Sequence, residues 1–146
     1  MKYKINILMI GLLLIVTGCQ PTAPKSMTTV QTVSYYFEQW GNKNQSGMES
    51  VVYEKMRGGE YGFDDQISVE LKDCWEVDDE NWIKEGFESE WYDKEPYQIA
   101  LVEAIFDVEY TEDANTGFSN GEYQFDYWLV KDSEDADWVI IQWGMG

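Results

Sequence analysis

An apolar run over residues 5–16 is followed by short segments whose hydrophobic spacing changes from helical to alternating. Val30, Val33, Phe37 and Trp40 recur at three- and four-residue intervals with Tyr36 beside them. This predicts an amphipathic helix capped by Thr28 or Thr29 and stopped at Gly41. Ser46 and Glu49 have the spacing of a capping box, and Met48, Val51, Val52 and Met56 line one face of a second helix ending at Gly58-Gly59. The period then falls to two. Ile67, Val69 and Leu71 alternate with Ser68, Glu70 and Lys72, the pattern of a strand with one buried face, until it blurs at Cys74-Trp75. Residues 78–87 carry Trp82, Ile83 and Phe87 behind an acidic start and predict a short helix or a structured connection.

The last third is strand-rich. Ala100, Val102, Ala104, Phe106, Val108 and Tyr110 share one face of a long strand; on the other, Ile99, Leu101 and Ile105 are interrupted by Glu103 and Asp107. Residues 122–130 and 138–143 predict a hairpin across the acidic turn 131–137, after a loop punctuated by Gly117, Asn120 and Gly121. Helices first and antiparallel strands afterwards predict an α+β class, with two N-terminal helices packed on the sheet.

Charge narrows the partners. The 146-residue chain holds 28 acidic and 10 basic side chains, a formal net charge of −18, which argues against nucleic acid and against electrostatic adhesion to anionic lipid. A cationic ligand or a basic envelope protein remains compatible with it, as does plain solubility. The chain contains no histidine, so Ser-His-acid and Cys-His nucleophilic systems and His-bearing zinc sites are excluded. No cofactor is expected.

Lys2 and Lys4 precede the apolar run, which spans about twelve residues, too short for a membrane span of about twenty. It closes on Val16-Thr17-Gly18-Cys19, which resembles a bacterial lipobox. The resemblance implies a signal peptide over 1–18, removed before Cys19, and acyl chains on Cys19 that hold the protein to the membrane on its extracytoplasmic face. Residues 19–27, polar and bearing Pro21 and Pro24, are expected to be the lipidated tether, and 28–146 the folded domain. Lipidation of Cys19 leaves Cys74 without an intramolecular partner, and the expected state of Cys74 is a buried structural thiol.

Tyr35-Tyr36-Phe37 in the opening helix, Tyr127-Trp128-Leu129-Val130-Lys131, and the closing Trp138-Val139-Ile140-Ile141-Gln142-Trp143-Gly144-Met145-Gly146 resemble small lipoproteins of Gram-positive bacteria with a nuclear transport factor 2-like, or SnoaL-like, domain. This implies a cone-like fold whose curved antiparallel sheet wraps the helices and leaves a cavity at the wide end. Enzymatic members of that superfamily commonly place an Asp or a His-Asp pair in the cavity. The His is missing here, and the superfamily hosts many activities, so fold alone selects none.

Glu103, Asp107, Asp126 and Tyr127 are the candidate pocket residues: a desolvated carboxylate there would be poised for proton transfer, whereas the same carboxylate on a solvated sheet rim would have no such role. Asp113, Asn115, Gly117, Asn120 and Glu122 place oxygens in one loop but fail the EF-hand pattern, which needs Gly where Phe118 stands. Asp132, Glu134, Asp135 and Asp137 crowd the hairpin turn. Trp75, Trp82 and Trp91 sit in acidic surroundings, where exposed rings would offer a stacking surface and buried ones would be core. The functional expectation is a membrane-anchored lipoprotein whose domain binds a ligand or protein partner without catalysis. A SnoaL-like enzyme using a cavity acid, and an acidic immunity or inhibitor protein, are the alternatives.

Overall fold

The computed structural model describes residues 23–145; the signal peptide, Cys19 and the start of the tether expected above lie outside them. Among the described residues the order is α1 (Thr29–Gly41), α2 (Gln45–Glu49), β1 (Gln66–Glu76), α3 (Glu80–Gly86), β2 (Gln98–Tyr110), β3 (Gly121–Lys131) and β4 (Val139–Gly144), with single 3-10 turns at Glu54–Met56 and Ser89–Trp91. The four strands form one antiparallel sheet in the order β1-β2-β3-β4, so the fold is α+β with the helices leading. Register shifts within β1, at Gln66/Ser68 and Leu71/Asp73, and between β3 and β4 at Trp128/Leu129 are the irregularities that curve such a sheet.

α1 begins as its sequence dictates. Thr28 caps it and Gln31 returns the bond to the Thr28 N–H, a complete capping box. The four-residue spacing of Val33, Phe37 and of Tyr36, Trp40 turns all of them onto the sheet, where they meet Val102, Ala104, Phe106 and Val108 of β2. The helix ends at Gly41, as expected, although Gly41 itself does not make the left-handed turn. It is helical, and a Cβ there would lie 3.1 Å from the Val69 carbonyl oxygen, so glycine lets the end of α1 approach β1; Lys43, at φ 56°, makes the turn away.

The second helix departs from expectation. Asn44, not Ser46, is its cap, accepting from the Gly47 N–H, and the helix ends at Glu49. Glu49 faces forward, accepting from Gln45 and from the Gly58 N–H. Val51 and Val52 are buried as an extended segment on the β4 edge: Ile140 N donates to Val51 O at 2.8 Å and Tyr53 N donates to Ile140 O at 2.8 Å. These two bonds pair backbone groups at the otherwise open β4 edge.

β1 also deviates. Ile67 is 55% exposed because the first bulge rotates it outward, leaving Gln66, Val69 and Leu71 toward α1. The second bulge, around Lys72, changes the phase again and brings Cys74 onto the inner face. There its thiol is half-buried, 3.4 Å from the Ser34 hydroxyl. β2, β3, β4 and α3 match the sequence pattern, with Asp79 capping α3. The opposite face of the sheet carries a smaller core of Leu101, Trp128, Val130 and Ile141 under Tyr53 and Tyr92, with Ile83 and Phe87 of the α3 region beside it. Residues 23–27 lie on the domain, with Ala23 and Met27 against the inner core and the Ser26 N–H donating to Asp137 at 2.9 Å. No helix among the described residues is long and apolar enough to cross a membrane.

Candidate functional site

The inner face of the sheet does not close over its whole length. Where the C-terminal half of α1, the 56–62 loop, the 111–120 loop, the ends of β2 and β4 and the middle of β3 converge, a cavity of about 350 Å³ opens, within the range of small-molecule sites. Alternation and helical period explain its walls. Tyr36 and Trp40 are one turn apart on α1. Tyr110 ends the inner row of β2, and Tyr127 and Trp143 are register partners on β3 and β4. Tyr61 and the Gly59–Gly62 backbone form one rim, and Asn115–Phe118 form the other. Gly62 adopts φ +63°, and a Cβ on it would stand 2.9 Å from Thr116 Cγ2, so the two rims meet closely only because residue 62 is glycine.

The rings pack on one another. Tyr36 lies 5.9 Å from Tyr127 and 6.0 Å from Trp143 between centroids, and Tyr127 stacks on Trp143 at 18°. Burial raises every phenol here. Tyr61 is pushed up to about 12 by burial and by neighbouring Glu49, whose carboxylate accepts its hydroxyl. Tyr36 is raised further by burial and then by the Tyr61 and Tyr110 phenols, and Tyr127 by burial and Tyr36. Burial raises Tyr110 as well, and the indole of Trp40 opposes the shift. The Trp40 Nε1–H is buried and makes no aligned hydrogen bond among the described residues; it lies beside the Tyr110 phenol without the geometry of a bond. The arrangement is a pocket lined largely by neutral aromatic side chains, with Glu60 among its lining residues.

Of the candidates read from the sequence, Tyr127 lines this cavity. Glu103, Asp107 and Asp126 do not: they occupy the opposite face of the sheet. Their placement follows from the pleat, since Asp126 cannot share a face with Tyr127, and Glu103 and Asp107 alternate with the inward Ala104 and Phe106. Glu103 and Asp126 are cross-strand partners. Gln124 donates to Glu103 at 2.9 Å, and Asp126 is raised by partial burial and then by Glu103. Asp107 is bridged to Lys72 at 3.3 Å.

Asn120 uses its side chain to close the β2–β3 loop, accepting from Tyr110 N at 2.8 Å and donating to Tyr110 O at 3.1 Å. No three acidic or thiol groups converge as a metal site among the described residues. Trp82 is 59% exposed and Trp75 37%, both away from the cavity, while Trp91 packs on Trp128. Tyr36, Trp40, Tyr61, Tyr110 and Trp143 were not singled out by sequence reasoning. For Trp40, Tyr110 and Trp143 the signal was present as aromatic residues at the last inward positions of the predicted α1, β2 and β4, and for Tyr36 one turn earlier on α1; Tyr61, in a loop, had no such signal.

No curated protein and no solved structure matches the chain. A family model, described as a domain of unknown function (DUF4829), matches residues 30–144, from the first turn of α1 to the last residue of β4 and hence both walls of the cavity. By that coverage the chain belongs to the DUF4829 family.

Proposed function

We propose that this protein is a lipid-anchored, extracytoplasmic binding protein with a nuclear transport factor 2-like domain that holds a small ligand in the aromatic cavity and does no chemistry on it. The observation that carries the binding reading is the cavity of about 350 Å³ itself, aromatic on its walls and open between two loop rims. Helices leading a curved antiparallel sheet, with the cavity at one end of the inner face, support the fold assignment. The absence of catalysis is favoured by the siting of Glu103, Asp107 and Asp126 on the far face, where none can reach a ligand in the cavity. The lipobox-like Val16-Thr17-Gly18-Cys19 supports the anchor, with the membrane as partner through acyl chains.

The binding reading is tested with N-phenyl-1-naphthylamine, a neutral apolar fluorophore. Saturable one-to-one enhancement with loss of tryptophan emission is expected, and Gly117→Trp should abolish it, because a Cβ at Gly117 meets nothing within 4 Å and a large ring there fills the mouth. Absence of saturable binding by the unaltered protein refutes the reading. For the anchor, Cys19→Ser should move the protein from the membrane fraction to the medium; retention in the cytosol of the unaltered, unprocessed chain refutes it.

A further inference from the structure

A second concavity, of about 420 Å³, lies at the other end of β2 from the aromatic cavity, where the end of β1, the first turn of α3 and the start of β2 meet. We infer that it is a docking groove for an extended, arginine-bearing segment of a protein partner, whatever the aromatic cavity holds. The sheet fixes its walls. The Val77 N–H donates to Leu101 O at 2.8 Å, carrying the pairing of β1 one residue further, and the Tyr97 N–H donates to Lys131 O at 2.9 Å just before β2 begins. Val77, Ile83 and Ile99 reach the groove as the half-buried margin of the core on the outer face of the sheet. Beside this apolar margin Tyr97 is 58% exposed, although its backbone is held. A ring fixed at its root and open to water offers contact area that costs little ordering to use.

Charge selects what covers it. Asp78 and Glu80 line the groove and form no ion pair or side-chain hydrogen bond among the described residues, whereas Asp79 is engaged in capping α3 and Glu76 accepts from the Thr29 hydroxyl. Lys84 is the one basic residue in the lining and bridges none of them. With the chain at a net charge of −18, an acidic segment would be repelled and a neutral one would leave this rim unmatched. A bare metal ion does not fit, since no three acidic groups converge among the described residues. The acidic hairpin turn at 132–137 has charge alone; here charge shares one concavity with apolar walls and an exposed ring. Arginine suits both parts. Its guanidinium stacks on an aromatic face, donates to carboxylates and is more weakly hydrated than ammonium. In an extended segment alternate side chains point to opposite sides, so arginines can take the acidic rim while apolar residues take the Val77–Ile99 wall.

The test is calorimetric titration of the purified protein with three capped heptapeptides, alternating arginine with leucine, arginine with serine, and glutamate with leucine. The arginine–leucine peptide is expected to bind one-to-one, more tightly than the other two, and to weaken as salt is raised from about 0.05 M to about 0.5 M. Tyr97→Ala should weaken it about five- to tenfold. Asp78→Asn with Glu80→Gln should weaken it about three- to tenfold. The same loss of charge at the far end of β2, Glu112→Gln with Asp113→Asn, should leave its affinity unchanged. Equal weakening by the two double variants would assign the binding to net charge and overturn the groove. No loss in Tyr97→Ala, equal binding of either comparison peptide, or no binding at all would also overturn it, as would self-association abolished by Tyr97→Ala, which would put a second copy of the chain in the groove. If Tyr97→Ala does not fold, the contrast between the two double variants decides.

Discussion

Replacing Phe106 probes the packing that holds the cavity wall against the sheet. Phe106 is fully buried on β2, and its ring meets Phe37 at 4.8 Å, Phe125 at 5.3 Å, and Trp40 and Tyr123 at 5.8 Å between centroids, with Phe118 of the cavity rim at 6.2 Å. Truncation to alanine removes the transfer free energy of the ring and leaves a void that five neighbouring rings cannot fill without breaking contacts with one another. The expected loss is about 4 kcal/mol. A domain of this size has a total stability of roughly 5–15 kcal/mol, so Phe106→Ala removes a large share of it. Phe106→Leu keeps much of the volume and loses the ring–ring contribution, for an expected loss of about 1–2 kcal/mol.

Urea unfolding followed by circular dichroism measures both, with unchanged denaturant slopes showing that the native state still buries the same surface. A double-mutant cycle with Phe37→Leu should return a coupling of about 0.5–1.5 kcal/mol. A loss below about 2 kcal/mol for Phe106→Ala at unchanged slope would contradict close packing around the ring. A coupling near zero would remove Phe37 from the cluster.

Gly47→Ala sets helix propensity against space: alanine gains up to about 1 kcal/mol in a helix, but its Cβ would lie 2.4 Å from Gln39 Oε1, and overpacking costs about 1–3 kcal/mol. Thermal denaturation should show net destabilisation that is relieved when Gln39→Ala is added. Alkali should unfold the domain: the Tyr53 phenol, donating to Asp93, and Tyr61 are pushed up to about 12 in the fold, so their neutral forms stabilise it fully below pH 10, and this contribution is lost as pH rises through 12. The part of the phenolate absorbance that is lost in Tyr53→Phe and Tyr61→Phe should change together with circular dichroism between pH 10 and 12; ionisation of those two phenols near 10 in the folded protein would refute the assignment. Asp126→Asn should stabilise the protein at neutral pH by less than about 1 kcal/mol. The sign follows from the raised Asp126: ionisation above its folded-state value opposes Glu103, so the gain should appear as pH rises through the carboxylate range and vanish in acid.

How far the chain could be read without coordinates depended on whether local period and burial agreed. α1, β2, β3 and β4 have long, uninterrupted patterns, and both their class and their inward faces were legible. The segment after Glu49 was not, because Val51, Val52 and Met56 satisfy a helical spacing while the open edge of β4, invisible in a local window, draws the backbone into extended pairing. β1 misled for a related reason: two bulges change its phase, and no residue type marks a bulge when glycine is not used. Of the cavity residues Tyr127 alone was among the pocket candidates, because the weight fell on carboxylates. Position along the strand parity already put Glu103 and Asp107 opposite Phe106, and Asp126 opposite Tyr127, whereas neutral phenols give no charge signal to search for.

The short stretch that lies along the body before α1 carries a consequence for how the protein stands. With lipid on Cys19, only four residues reach from the bilayer to Ala23, a span of at most about 14 Å. Ala23, Met27 and the Ser26–Asp137 bond fasten that leash to the end of the molecule where α1 starts and the acidic hairpin turns, while the cavity mouth lies past the other end of a helix about 20 Å long. With the anchor proposed above, the opening would look outward, away from the lipids, and its guest would arrive from the surrounding fluid, not from the hydrocarbon beneath.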